Sequence, residues 1–64
     1  MTPEQQRMVN AVYRDARKTW PAVTLEYLTT QAEALLKGER PQGGPGMMLA
    51  DTFVRAGFIP KIPD

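Results

Sequence analysis

The sequence predicts a small all-α domain: three helices and an extended, proline-containing C-terminal tail. Three observations predict it. Apolar residues recur at helical spacing in three separate stretches. Threonine and glycine punctuate those stretches as starts and stops. The last four-residue run but one, Pro60-Lys61-Ile62-Pro63, holds two prolines and cannot be helical. With 64 residues the chain supplies one domain at most, spanning positions 1–64.

The first helix is expected over about residues 3–18. Thr2 can cap it, Pro3 suits the first helical position, and Gln5 stands three residues after the cap. This is the Thr-x-x-Gln form of the capping box. Met8, Val9, Val12, Tyr13 and Ala16 fall within an arc of about 140°. Trp20-Pro21 ends the helix, because proline disfavours the helical conformation of the residue before it.

The second helix is expected over about residues 24–37. Thr24 is the cap, and Val23 with Leu28 can form a hydrophobic staple across it. Leu25, Leu28, Ala32, Leu35 and Leu36 make one stripe, with Glu33 and Lys37 spaced to pair on the outer face. Tyr27 and Ala34 flank the stripe and suggest a second neighbour on that side. Gly38 supplies the left-handed position after the helix.

Residues 38–46 read as a breaker-rich, mobile connector with no capacity to continue a helix. The third helix is expected over about residues 47–56. Met47, Leu49, Ala50, Phe53, Val54 and Ala56 cover about half its circumference, wide for so short a helix. Such a helix is either wedged between the other two or buried in a partner. Gly57 ends it, and Phe58 can pack back as in a Schellman motif. The tail, residues 57–64, is expected to be extended. The first two helices should form an antiparallel pair, with the third packed across them. The expected core is Val9, Val12, Ala16, Trp20, Leu25, Leu28, Leu35, Leu36, Leu49, Phe53, Val54 and Phe58.

Composition narrows the chemistry. The chain has no cysteine, histidine or serine. Disulfides, Cys- or His-based metal sites, the commonest nucleophiles and imidazole acid–base catalysis are all excluded. No catalytic residue, cofactor or metal is expected. No apolar run approaches the roughly 18–20 residues that span a bilayer. The N-terminus shows no basic region followed by an apolar stretch, so the expectation is a cytoplasmic protein with no membrane partner.

Net charge is +1, with no general pull toward nucleic acid. The exception is local. Arg7, Arg14 and Lys18 lie within about 40° on the first helix, with Arg17 beside them. Such a row can grip phosphates. It also lies almost opposite the apolar arc, where any solvated face is polar, and Glu4 and Asp15 are spaced to pair with Arg7 and Lys18. A helix-turn-helix needs a turn of about 3–4 residues. The second connection is too long for it, and Glu26 and Glu33 on the second helix would face phosphate.

Other motifs give less. Gly43-Gly44-Pro45-Gly46 precedes a helix, but Met47 and Met48 stand where a phosphate loop needs lysine and a hydroxyl. Glu26 and Glu33 share a solvated face. The P-x-x-P of the tail lacks a flanking arginine, and Ile59 and Ile62 are better placed to cover the end of the core.

The apolar oddities are the most informative. Met48 falls on the polar side of the third helix, and Trp20 sits at a corner. Clustered exposed apolar residues mark interaction surfaces. Trp20, Met47, Met48 and Phe53 are therefore the candidate contacts for a partner or a second copy. Twenty of the 64 residues are large and apolar, and eight of these fall between Met47 and Ile62. Three short helices enclose about a dozen. A symmetric dimer would bury the surplus; a tail folded back on its own domain would consume it within one chain. The expected function is a non-catalytic protein-interaction or regulatory accessory module that binds another protein or itself. The alternative is a small nucleic-acid-binding protein using Arg7, Arg14, Arg17 and Lys18.

Overall fold

The computed structural model describes all 64 residues as three helices with no strand: α1 (Pro3–Thr19), α2 (Leu25–Leu36) and α3 (Gly43–Arg55). A small three-helix domain is what the apolar periodicity predicts. α2 is central, packing on both α1 and α3, whereas α1 and α3 meet over a shorter stretch.

Each helix end has a chemical cause. At α1 the capping box is complete: the Gln5 N–H donates to Thr2 Oγ1 at 3.1 Å, and the Thr2 N–H donates to Gln5 Oε1 at 2.8 Å. Thr24 Oγ1 accepts from the Tyr27 N–H at 3.1 Å and starts α2. The staple residues Val23 and Leu28 are both buried in the core. Between α1 and α2 the chain turns through Pro21-Ala22, closed by the Val23 N–H donating to the Trp20 carbonyl at 3.1 Å.

α2 and α3 end alike. After α2, Gly38 and Glu39 donate to the carbonyls of Leu35 and Ala34, both at 3.0 Å. After α3, Gly57 donates to the Val54 carbonyl at 3.1 Å and Phe58 to the Phe53 carbonyl at 2.9 Å. These are two Schellman motifs. Gly38 and Gly57 hold φ of +84° and +82°, a region that a Cβ penalises.

The start of α3 corrects one expectation. Residues 43–46 are helical, so the connector is residues 37–42 rather than 38–46. Glycine and proline break a helix in its interior, but here they form the first turn. The N–H groups there have no acceptor within the helix, so the missing donor of Pro45 costs nothing. Gly43, Gly44 and Pro45 are exposed, but Gly46 is buried, and a Cβ on it would lie 3.4 Å from Pro41 Cβ. The connector remains longer than a helix-turn-helix allows.

The core is apolar throughout: Val9, Val12, Val23, Leu28, Ala32, Leu35, Leu49, Ala50, Phe53, Phe58 and Ile59. Seven of these were expected from periodicity. Trp20, Leu25 and Leu36 were expected inside and are instead 37%, 38% and 40% exposed. Ala16 and Val54 are only partly buried. The stripe on α2 is wider than the contact it makes, so its edge leucines stay in water.

The tail is consumed by the domain. Phe58 and Ile59 are buried, Ile62 packs on the core, and Arg40 Nη1 donates to the Pro63 carbonyl at 3.2 Å. The Cα radius of gyration of 10.5 Å agrees with about 10.7 Å for a fully compacted chain of this length, so no segment trails. Much of the apolar surplus between residues 47 and 62 is thereby used within one chain.

Two stability outcomes follow. Thr2→Ala removes an acceptor from the α1 terminus and should cost about 1 kcal/mol, read from the urea midpoint. Gly57→Ala meets no atom within 4 Å, so its cost is backbone strain alone, about 1–2 kcal/mol in the same assay.

Candidate functional site

The surface has one groove, between α1 and α3, the two helices in least contact. It holds about 430 Å³ and is half open to solvent. One wall is the last turn of α1 and its C-cap, with Asp15, Ala16, Thr19 and Trp20; the other is Pro45, Met48, Leu49 and Thr52 of α3. Ala16, Thr19 and Trp20 stand at i, i+3 and i+4, and the α3 residues at i, i+3, i+4 and i+7. Each set is one helix face.

Trp20 is held in place on both sides. Its backbone N–H donates to the Ala16 carbonyl at 2.7 Å, and its own carbonyl accepts from Val23. Its indole meets the Tyr27 ring edge-on, with centroids 5.7 Å apart and planes at 75°. That is a favourable aromatic arrangement. Tyr27 is in turn positioned by the Thr24 cap. Trp20 thus lines the groove while its ring packs against Tyr27 of α2.

Met48 is the opposite kind of wall. It is 70% exposed, the most exposed large apolar side chain of the protein. Its flexible thioether can adapt to whatever covers it. The polar groups are committed to their own helices: the Thr52 hydroxyl donates to the Met48 carbonyl at 3.0 Å, and Asp15 pairs with Lys18 at 3.8 Å. On the α3 side Arg55 pairs with Asp51 at 2.9 Å. The groove lining is thus mainly apolar with Asp15 as its one charged group, and Lys18, Asp51 and Arg55 stand at neighbouring positions of the same two helices. Apolar centre and polar rim is the anatomy of a protein interface.

Of the four apolar candidates, the structure brings Trp20 and Met48 together in this groove. Met47 is half-buried and does not line it. Phe53 corrects an expectation: it is fully buried, so no partner reaches it. At i+4 from Leu49 it lies on the inner flank of α3, against Phe58 with ring centroids 4.9 Å apart. Ala16, Thr19, Pro45, Leu49 and Thr52 join the groove without having been singled out. Their i, i+3, i+4 spacing was the available signal, hidden because residue 45 read as loop and position 49 as core.

The four basic candidates all lie exposed on α1. Arg17 stands over the Tyr13 ring at 5.4 Å, and Lys18 faces Asp15. Arg7 and Arg14 make no ion pair: the expected Glu4–Arg7 contact does not form, and neither does Glu33–Lys37. No three His, Cys, Asp or Glu side chains cluster, and no helix is long and apolar enough to cross a membrane.

No protein-family model, curated protein or solved structure matches the chain.

The two phenylalanine and methionine positions should separate in stability. Phe53→Ala should cost about 3–5 kcal/mol, a large part of the roughly 3–10 kcal/mol available to a 64-residue domain. Met48→Glu should stay within about 0.5 kcal/mol, because the side chain is mostly in water. Thermal melts of both variants check this.

Proposed function

We propose that the protein is a non-catalytic interaction module that uses the Trp20–Met48 groove to hold another protein chain. One observation carries the reading. The surface's one groove is apolar, half open and flanked by an exposed methionine and an oriented tryptophan, residue types enriched at interfaces. A volume of about 430 Å³ suits one or two large side chains of a partner segment. Its only titratable lining group, Asp15, is 80% exposed and paired with a lysine, an arrangement that favours a solvated rim over acid–base chemistry.

The rival reading places phosphates along Arg7, Arg14, Arg17 and Lys18. The two differ in what holds the complex together. Apolar contact tolerates salt, whereas each phosphate contact is lost steeply as salt rises.

The test is retention of proteins on the immobilised chain from its native source, with untagged chain added. Wild type is compared with Met48→Glu and with a variant neutralised at the four cations, with and without nuclease. The expected result is a bound protein that survives nuclease and high salt and is lost with Met48→Glu. Retention that needs nucleic acid and disappears with the cations would overturn the proposal.

A further inference from the structure

We infer that the occupant of the groove is a second copy of this chain, docked about a two-fold axis with Met48 of each copy in the groove of the other. The inference rests on the interaction reading above and names its partner.

Three features of the surface point to self-complementarity. The first is shape. A two-fold interface uses the same patch on both subunits, so that patch has to carry both a projection and the recess that receives it. Here they are adjacent. Met48 is 70% exposed at the edge of a recess of about 430 Å³, and Trp20 forms its opposite wall. A two-fold axis through the groove, between Met48 and Trp20, is the arrangement that turns each thioether toward the Trp20 wall of the other copy.

The second is charge. A patch with one sign of charge repels its own copy. The two helices that wall the groove carry Asp15 with Lys18 on α1 and Asp51 with Arg55 on α3, one of each sign per helix. Two identical rims therefore meet without net repulsion, and a two-fold axis lets acid face base in both directions. The net charge of +1 adds little long-range opposition.

The third is where apolar exposure remains. The tail has absorbed Phe58, Ile59 and Ile62, so the surplus expected to drive a dimer through the tails is gone. What is left is Met48 and Trp20 at the groove, Leu25 and Leu36 on α2, and Met1 at the terminus. Only the first pair frames a recess. A stable contact takes about 800 Å² from each copy, about a fifth of this chain's 4361 Å² surface. The groove supplies the centre and the neighbouring flanks of α1 and α3 the remainder. The expected dimer is therefore one that dissociates on dilution.

Light scattering and tryptophan emission of the intact chain test this together, because Trp20 is the sole tryptophan and walls the groove. At about 1 mM the mass should approach twice 7.2 kDa, and it should fall toward 7.2 kDa near about 1 µM. Trp20 emission should shift to the red over the same range. Met48→Glu should hold the mass at 7.2 kDa and give the red-shifted emission throughout, with helicity unchanged by circular dichroism. Should that variant lose its fold, Met48→Ala shortens the projection without adding charge and should weaken association about tenfold or more. Leu36→Glu, on α2, should leave the dimer intact.

A mass of 7.2 kDa at every concentration would overturn the second-copy proposal. So would a dimer that ignores both Met48 variants, or one broken by Leu36→Glu instead. Those failures are separable from failure of the interaction reading: a monomeric chain that still retains a different protein through Met48 keeps the module and removes only the second copy.

Discussion

Phe53 has no exposed surface, and part of what covers it is the chain that leaves its own helix. Gly57 reverses the backbone, the Phe58 N–H donates back to the Phe53 carbonyl, and the two rings meet 4.9 Å apart. The reversal then leads Ile59 and Ile62 onto the core and brings Pro63 within reach of Arg40. A chain of 64 residues has little apolar area to spare, so a tail used as core lining matters more than in a larger domain. Without it, three short helices would leave one end of the core in water.

The same constraint shapes the surface. Once the tail closes one region, α1 and α3 meet only briefly elsewhere, and the groove is the space they leave. It is lined by side chains that the helical repeat places on the facing sides of two helices. Trp20 stands at its edge, with its backbone in the turn at Pro21-Ala22 and its ring against Tyr27. An aromatic side chain packed on its neighbour thus stands across the groove from a flexible, exposed methionine.

The polar residues contribute mainly by keeping out of the way. Thr2, Thr24 and Thr52 direct their oxygens to their own helices, and the two ion pairs are intrahelical and exposed. Pairs of that kind add little stability. Their consequence is electrostatic: beside the groove they leave a field of mixed rather than single sign.

Helix identity, the caps at Thr2 and Thr24, the stops at Gly38 and Gly57 and the return of Phe58 were legible in the sequence, because each depends on residues within a few positions of one another. Local chemistry also marked Met48 as an apolar residue on a polar face. Tertiary structure decided the rest. Whether Leu25, Leu36 and Trp20 are covered depends on how far a neighbouring helix reaches, which periodicity does not encode. Gly-Gly-Pro-Gly reads as a connector by residue type, yet it is the first turn of α3, with Pro41 from outside the segment beside Gly46. Phe53 and Met48 share one short helix with similar apolar character, yet one is sealed and the other is 70% exposed. The sequence by itself determined which segments are helical and where they stop; only the packing of those helices and the folded-back tail decided which apolar side chains remain exposed, because burial is set by contacts between residues far apart in the chain.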